Sequence, residues 1–326
     1  MNDYNDIFSI KNEDDFLNIC FETFFHQVKN CEPYSKWINL LNINIKNIKK
    51  IEEIPFLPVE LFKSKRVYCS DKKEEIIFSS SSTTGIGQSF HYVEDVDLYE
   101  KSFTRAFSSF YGKPSNYAIL GLLPSYLERT GSSLIYMVDS LIKQSANMRS
   151  GFFLHNFDEL YESLCSLRNE NTPTILIGVT YALLDFVEKY SIDFPDLIVM
   201  ETGGMKGRRE EVSRARLHEK FCLNFGVQHI HSEYGMTETL SQAYSKGGGK
   251  FLCPSWMKIL IRDIHNPFKI LNKNESGGIN IIDLANYNSC SFIATQDLGK
   301  TNNDNSFEIL GRLTASDIRG CNLLVQ

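Results

Sequence analysis

The segment PTILIGVTYALLDFVEKYSIDFPDLIVMETGGMKGRREEVSRARLHEKF, residues 173–221, sets the fold class. PTILIGV (173–179) and DLIVMET (196–202) are short apolar runs that read as buried strands. GRREEVSRARLHEKF (207–221) has helical period and turns Val212, Leu217 and Phe221 inward. Strands alternating with helices predict crossover units and a mostly parallel sheet. Upstream, YAILGLL (117–123) reads as a further buried strand, and EEIIFSS (74–80) as a strand followed by a polar loop. EDDFLNICFETFFHQVK (13–29) places Phe16, Ile19, Cys20, Phe24 and Val28 at three- and four-residue intervals, with Asn12 as cap and three acidic residues in the first turn. From residue 251 the helical signal fades, and KILIRDI, GGINIIDL, SCSFIAT and SFEILG read as short strands. The expected class is α/β. Residues 1–250 form an α/β part with a helical start over 1–73, and residues 251–326 form a smaller β-rich subdomain ending in a short tail.

Composition narrows the function. A hydrophobic content of 42% over 326 residues supports a sizeable core and excludes wholesale disorder. The formal net charge of −6 argues against nucleic acid as the main partner, because the polyanionic backbone attracts basic surfaces. The most apolar segment, TILIGVTYALLDFV (174–187), falls short of the roughly 20 residues a spanning helix needs, and the N-terminus is acidic rather than signal-like. A cytoplasmic protein with no integral membrane segment is expected. Its eight cysteines include no C-x-x-C pair, so neither a zinc ribbon nor a dithiol redox motif is indicated.

Five pieces could carry chemistry. FSSSSTTGIGQSF (78–90) places hydroxyls and backbone N–H groups of Ser81, Ser82, Thr83, Thr84 and Gly85 directly after a strand. That is either a concavity for polyphosphate oxygens or a solvated Ser/Thr turn. It lacks the Gly-Lys-Ser/Thr of a P-loop and the third glycine of a dinucleotide fingerprint. METGGMKG (200–207) ends a strand in Gly203 and Gly204, where a flat base can lie against backbone. HIHSEYGMTET (229–239) offers Tyr234 for a purine, Thr237 for phosphate and Glu238 for Mg²⁺. His229, His231 and Glu233 share a strand face there, as metal ligands or, more simply, as satisfied core and loop residues. TQDLG (295–299) supplies Asp297 for ribose hydroxyls, and GRLTASDIRGC (311–321) supplies Arg312 for ribose or phosphate. Each piece alone is more often a turn.

In this order the pieces resemble the adenylate-forming enzymes: acyl-CoA ligases, peptide-synthetase adenylation domains and their relatives. SSSTTG is similar to that superfamily's phosphate loop, TGG to its adenine-side glycines, YGMTE to its most specific motif, TQDLG to its ribose-binding segment and GR to the start of its hinge. LGLLPSYLERTGSSLIYMVDSLI, ILIGVTYALLDF, METGGMKGRREEVSR, CPSWMKILIRDI and SDIRGCNLL narrow the resemblance to the acyl-protein synthetase (LuxE-like) branch over residues 75–326. Ser82 stands where the superfamily usually has Gly, and Gly87-Gln88 where Pro-Lys is common. The chain ends soon after Arg312, so the mobile C-terminal domain with its catalytic Lys is expected to be absent.

The resemblance implies ATP and Mg²⁺ as cofactors and a fatty or other carboxylic acid as substrate. The acid would be activated as acyl-AMP and passed to a protein thiol, Cys321, for hand-over to an acyl reductase or acyl carrier partner. Thr237 and Glu238 would serve the adenylation step. Arg319 would lower the Cys321 thiol pKa; the alternative for Cys321 is a thiol buried in an edge strand. Two rival functions stand beside this one. The first is an acyl-adenylate-forming ligase whose acceptor is CoA, a carrier protein or an amine. The second is a non-catalytic nucleotide- or acyl-binding protein.

Overall fold

A computed structural model describes residues 4–80, 87–123, 131–154, 156–203 and 213–313. Ser81, Ser82, Thr83, Thr84, Gly85, Gly204, Val212, Arg319 and Cys321 lie outside the described residues.

The chain opens with helices α1 (Glu13–Asn30) and α2 (Glu32–Leu40). The Asn12 side chain accepts from the Asp15 N–H at 2.9 Å, which satisfies one of the free donors of the first turn. Phe16, Cys20 and Phe24 face inward, as their spacing predicts. Strand β1 (Leu57–Pro58) and the short helix α3 (Leu61–Ser64) lead to a hairpin of β2 (Ile76–Ser79) and β3 (Phe90–Val93). Helix α4 (Val96–Tyr111) follows.

Crossover units then build the parallel half of one large sheet. They run β4 (Ala118–Leu122), α5 (Ser133–Ser145), β5 (Gly151–Phe153), α6 (Phe157–Asn169), β6 (Thr174–Val179), α7 (Thr180–Val187), β7 (Ile198–Thr202), α8 (Arg214–Phe225) and β8 (His231–Tyr234). Every residue of β4 and β6 is buried, because helices cover both faces of a parallel sheet. The helix expected over 207–221 is described from Arg214, with Leu217 and Phe221 inward.

Beyond β8 the same sheet turns antiparallel. β9 (Ala243–Ser245), β10 (Lys250–Leu252), β11 (Met257–Arg262), β12 (Ser276–Asp283), β13 (Phe292–Thr301) and β14 (Phe307–Arg312) complete it. The spatial order is β11-β12-β13-β14-β10-β9-β8-β7-β6-β4-β5, with β1 pairing β13. The β-rich C-terminal region is therefore hydrogen-bonded into the parallel half through β8–β9 and β10–β14. The principal core lies on the parallel half and α1, α2 and α4. A second, smaller cluster gathers Tyr234, Phe251, Ile259, Ile279 and Phe307. Among the described residues, no helix is long and apolar enough to cross a membrane.

Candidate active site

The carboxyl ends of β6, β7 and β8 meet at one rim, the place where open α/β sheets receive ligands. Gly203 follows β7 with φ +69°, a conformation that disfavours side-chain-bearing residues. Its carbonyl accepts from the Thr180 hydroxyl at 3.2 Å. Just before it, buried Glu201 accepts from His218 (2.8 Å), Ser232 (3.2 Å) and Thr180 (3.4 Å), with Arg214 Nε 3.5 Å away. That carboxylate ties the first turns of α8 to the strand ends.

Tyr234 closes β8, and its hydroxyl donates to Asp297 Oδ2 at 2.8 Å. Asp297 pairs in register with Arg312 across β13–β14, and Arg312 Nε lies 3.4 Å from its other oxygen. Three residues drawn from separate motifs thus form one cluster. The Tyr234 ring makes T-shaped contacts with Phe251 and Phe307 and is 9% exposed, and its hydroxyl is the polar group it contributes. Burial and the neighbouring Asp297 carboxylate push that hydroxyl well above the usual tyrosine range. It stays a donor at any physiological pH.

Residues 235–242 connect antiparallel β8 and β9 and carry Thr237 and Glu238. An alanine Cβ at Gly235 would sit 2.4 Å from Glu233 Oε1, so a larger residue there would displace the Glu233 side chain. Thr239 folds the turn on itself, its N–H and hydroxyl both donating to the Met236 carbonyl. Underneath lies a buried polar spine. Asp283 accepts from the N–H groups of Leu240 and Ser241 (both 2.9 Å), the Ser241 hydroxyl (2.6 Å) and the Ala285 N–H (3.1 Å). Asn286 donates to the Glu238 carbonyl (2.7 Å) and accepts from the Leu240 N–H (2.9 Å). Gln27 of α1 donates in turn to the Asn286 carbonyl at 2.9 Å. A second support is Arg262. Its buried guanidinium donates to Ile279 O, Asn280 Oδ1 and Thr295 O, behind the strand that carries Asp297. Sequence reasoning missed Asp283, Asn286, Gln27 and Arg262. The available signal was a charged residue at the end of an otherwise apolar strand, in IIDL and KILIR.

Glu238 is 7% exposed, and burial raises its carboxyl above the usual range against the opposing pull of Ser89, Lys63 and Arg312. Among the described residues no cation makes an ion pair with it. Mg²⁺ binds through one or two carboxylates plus substrate phosphates, so a buried carboxylate with no contact ion pair among the described residues fits the ion. Among the described residues no group of three His, Cys, Asp or Glu could hold a metal by itself. His231 Nδ1 instead shares a hydrogen bond with the Tyr111 hydroxyl (3.1 Å), and Glu233 accepts from the Thr202 hydroxyl at 2.5 Å.

The sequence matches no protein-family model and no curated protein. Solved structures do match the fold. One is 2-hydroxyisobutyryl-CoA ligase in an open conformation, in complex with 2-HIB-AMP and CoA. Its TM-score is 0.69 at 12% identity, over 92% of this chain and 69% of that one. Another is ATP-bound MatB from Rhodopseudomonas palustris, with a TM-score of 0.54 at 17% identity, over 72% of this chain and 47% of that one. The chain therefore has the fold of the adenylate-forming enzymes: a large sheet with flanking helices and a β-rich C-terminal region. It spans about two thirds of the first structure's length and about half of the second's.

Proposed function

We propose that this protein activates a carboxylic acid with ATP as an acyl-adenylate and passes the acyl group to a thiol. The observation that carries the reading is the Tyr234–Asp297–Arg312 cluster beside the Thr237–Glu238 turn. Arg312 acts electrostatically on both carboxylates, Asp297 by contact and Glu238 at longer range. Asp297 would accept from the ribose hydroxyls with its remaining lone pairs. Gly203 and Gly204, with Tyr234 behind, would hold the base. Ser81, Ser82, Thr83, Thr84 and Gly85 would hold the phosphates. Glu238 would hold Mg²⁺, which when bound neutralises phosphate charge. In the first step a carboxylate oxygen bonds to the α-phosphorus and the bond to pyrophosphate breaks. In the second, a thiolate sulfur bonds to the acyl carbon and AMP leaves.

Two thiol acceptors are in view. CoA is favoured by the 2-hydroxyisobutyryl-CoA ligase complex, which holds CoA together with its adenylate. Cys321, the reading that follows from the LuxE-like resemblance, would carry a fatty acyl group toward a reductase or carrier partner. ATP–pyrophosphate exchange against a panel of carboxylic acids tests the first step. Exchange that depends on one class of acid supports it, and ATP binding without exchange for any acid overturns it. With the responsive acid, Asp297→Asn is expected to raise the KM for ATP roughly tenfold or more, the scale of a lost hydrogen bond to a charged group. Cys321→Ser then separates the acceptors. Thioester formation on CoA that survives the substitution assigns CoA, whereas a hydroxylamine-sensitive acyl adduct that vanishes with it assigns the cysteine.

A further inference from the structure

The 236–239 turn has three inward carbonyls, and each is held differently. That of Met236 is held by Thr239 within the turn, and that of Glu238 by Asn286 from the spine below. The carbonyl of Thr237 is held from a separate strand, by His91 Nδ1 at 2.9 Å. His91 belongs to β3, the strand into which the Ser/Thr-rich loop feeds. The stem of that loop is closed next to it. Ser80 N–H donates to Ser89 O at 3.1 Å, and Ser89 N–H donates to Ser80 Oγ at 2.9 Å. Ser89 also pulls the Glu238 carboxyl down against the effect of its burial, so the two side chains are neighbours. The His91–Thr237 hydrogen bond, with Ser89 next to Glu238, therefore joins the loop stem to the Thr237–Glu238 turn.

The chemistry of the His91 contact is determined. A carbonyl only accepts, so Nδ1 carries the proton and Nε2 carries the lone pair. The imidazole is 1% exposed and packs edge-on against Phe62. Its Nε2 has no partner among the described residues. Burying an unsatisfied ring nitrogen costs stability, and an apolar ring in the same slot would avoid the cost. What the apolar ring cannot do is donate to Thr237. We propose that His91 is a positioning residue that fixes the Thr237–Glu238 turn against the stem of the Ser/Thr loop, so that both sides of the phosphate site keep one geometry.

This inference rests on the adenylation reading, and its test separates the two. In full-length protein with the responsive acid, His91→Phe is expected to lower kcat for ATP–pyrophosphate exchange about tenfold or more while leaving the KM for the acid unchanged, since preorganised groups act mainly on the transition state. Its Tm is expected to stay level or rise. His91→Asn places an amide N–H near the Nδ1 position and is expected to restore kcat to within about threefold of wild type, as a donor-dependent role requires. Wild-type kcat in a folded His91→Phe protein, or no rescue in a folded His91→Asn protein, overturns the proposal. If the wild type exchanges with no acid, the adenylation reading fails instead. The contact itself is then read by ¹⁵N–¹H NMR of the His91 ring at neutral pH. The Nδ1–H tautomer upholds the brace, and the Nε2–H tautomer refutes it.

Discussion

Asp283→Ala is expected to lose more than about 4 kcal/mol of folding stability, and with it the geometry of the 235–241 turn. The carboxylate is fully buried and accepts four hydrogen bonds. Not all four donors are stranded by its removal. The Leu240 N–H keeps Asn286 as a second acceptor, and the Ser241 hydroxyl can turn toward Ser102, 3.0 Å away. The N–H groups of Ser241 and Ala285 have no such alternative among the described residues. Each buried orphan costs about 1–3 kcal/mol, and the cavity left by the side chain adds to that. Asp283→Asn should be milder, about 1–3 kcal/mol, because one amide oxygen can replace Oδ2 and its NH₂ end can donate to Ser241 Oγ. Urea denaturation of the two variants at one pH checks the order. A loss in Asp283→Ala no larger than that in Asp283→Asn would contradict the account of stranded donors.

That prediction rests on residues that the sequence did not announce, and the reason is physical. β4, β6 and β7 are readable because burial on both faces demands a continuous apolar run, and the α1 cap is readable because Asn12 acts on a residue three positions away. Short-range physics leaves short-range traces. β8, β9 and β10 have only three or four residues each, and HSEY, AYS and KFL carry no period long enough to detect. The spine is less visible still, since Gln27 and Asn286 are 259 residues apart and nothing local in either segment requires the other. Asp283 ends a run of aliphatic residues, where an acid normally marks the exit to solvent; here it turns inward to collect N–H groups.

The candidate site shows the same division. Motif order points to Tyr234, Asp297 and Arg312, yet the contact between Tyr234 and Asp297 spans 63 residues and joins the last parallel strand to the antiparallel half of the sheet. His231 and Glu233 do share a face of β8, as alternation requires, but their partners Tyr111 and Thr202 come from α4 and β7. Those partners give each of them a place in the packing without a metal.

Glu233 and His91 are expected to give opposite pH dependences of stability when replaced singly. Burial lowers His91 and His231 to about 4 and raises Glu233 to about 7 and Asp283 to about 6. For Asp283, desolvation outweighs its four donors. The depressed histidines contribute stability that is present above their unfolded pKa of 6.5 and is lost as pH falls toward 4. The raised carboxyls contribute stability that is present below their unfolded values of 4.5 and 3.8 and is lost as pH rises through about 7 and 6. Between pH 4.5 and 6 the folded chain therefore holds two protons on carboxyls, while the unfolded chain holds two on imidazoles. Their slopes cancel. Removing one member exposes its opponent at about 1.4 kcal/mol per pH unit. Relative to wild type, Glu233→Gln should gain stability as pH rises from 4.5 to 7, by about 3 kcal/mol in all. His91→Asn should do the reverse, gaining on wild type as pH falls from 6.5 to 4. Urea melts at pH 4.5, 5.5 and 6.5 measure both slopes. Curves for the two variants that run parallel to wild type would show that these groups titrate alike in the folded and unfolded chain, and that their burial does not govern their charge.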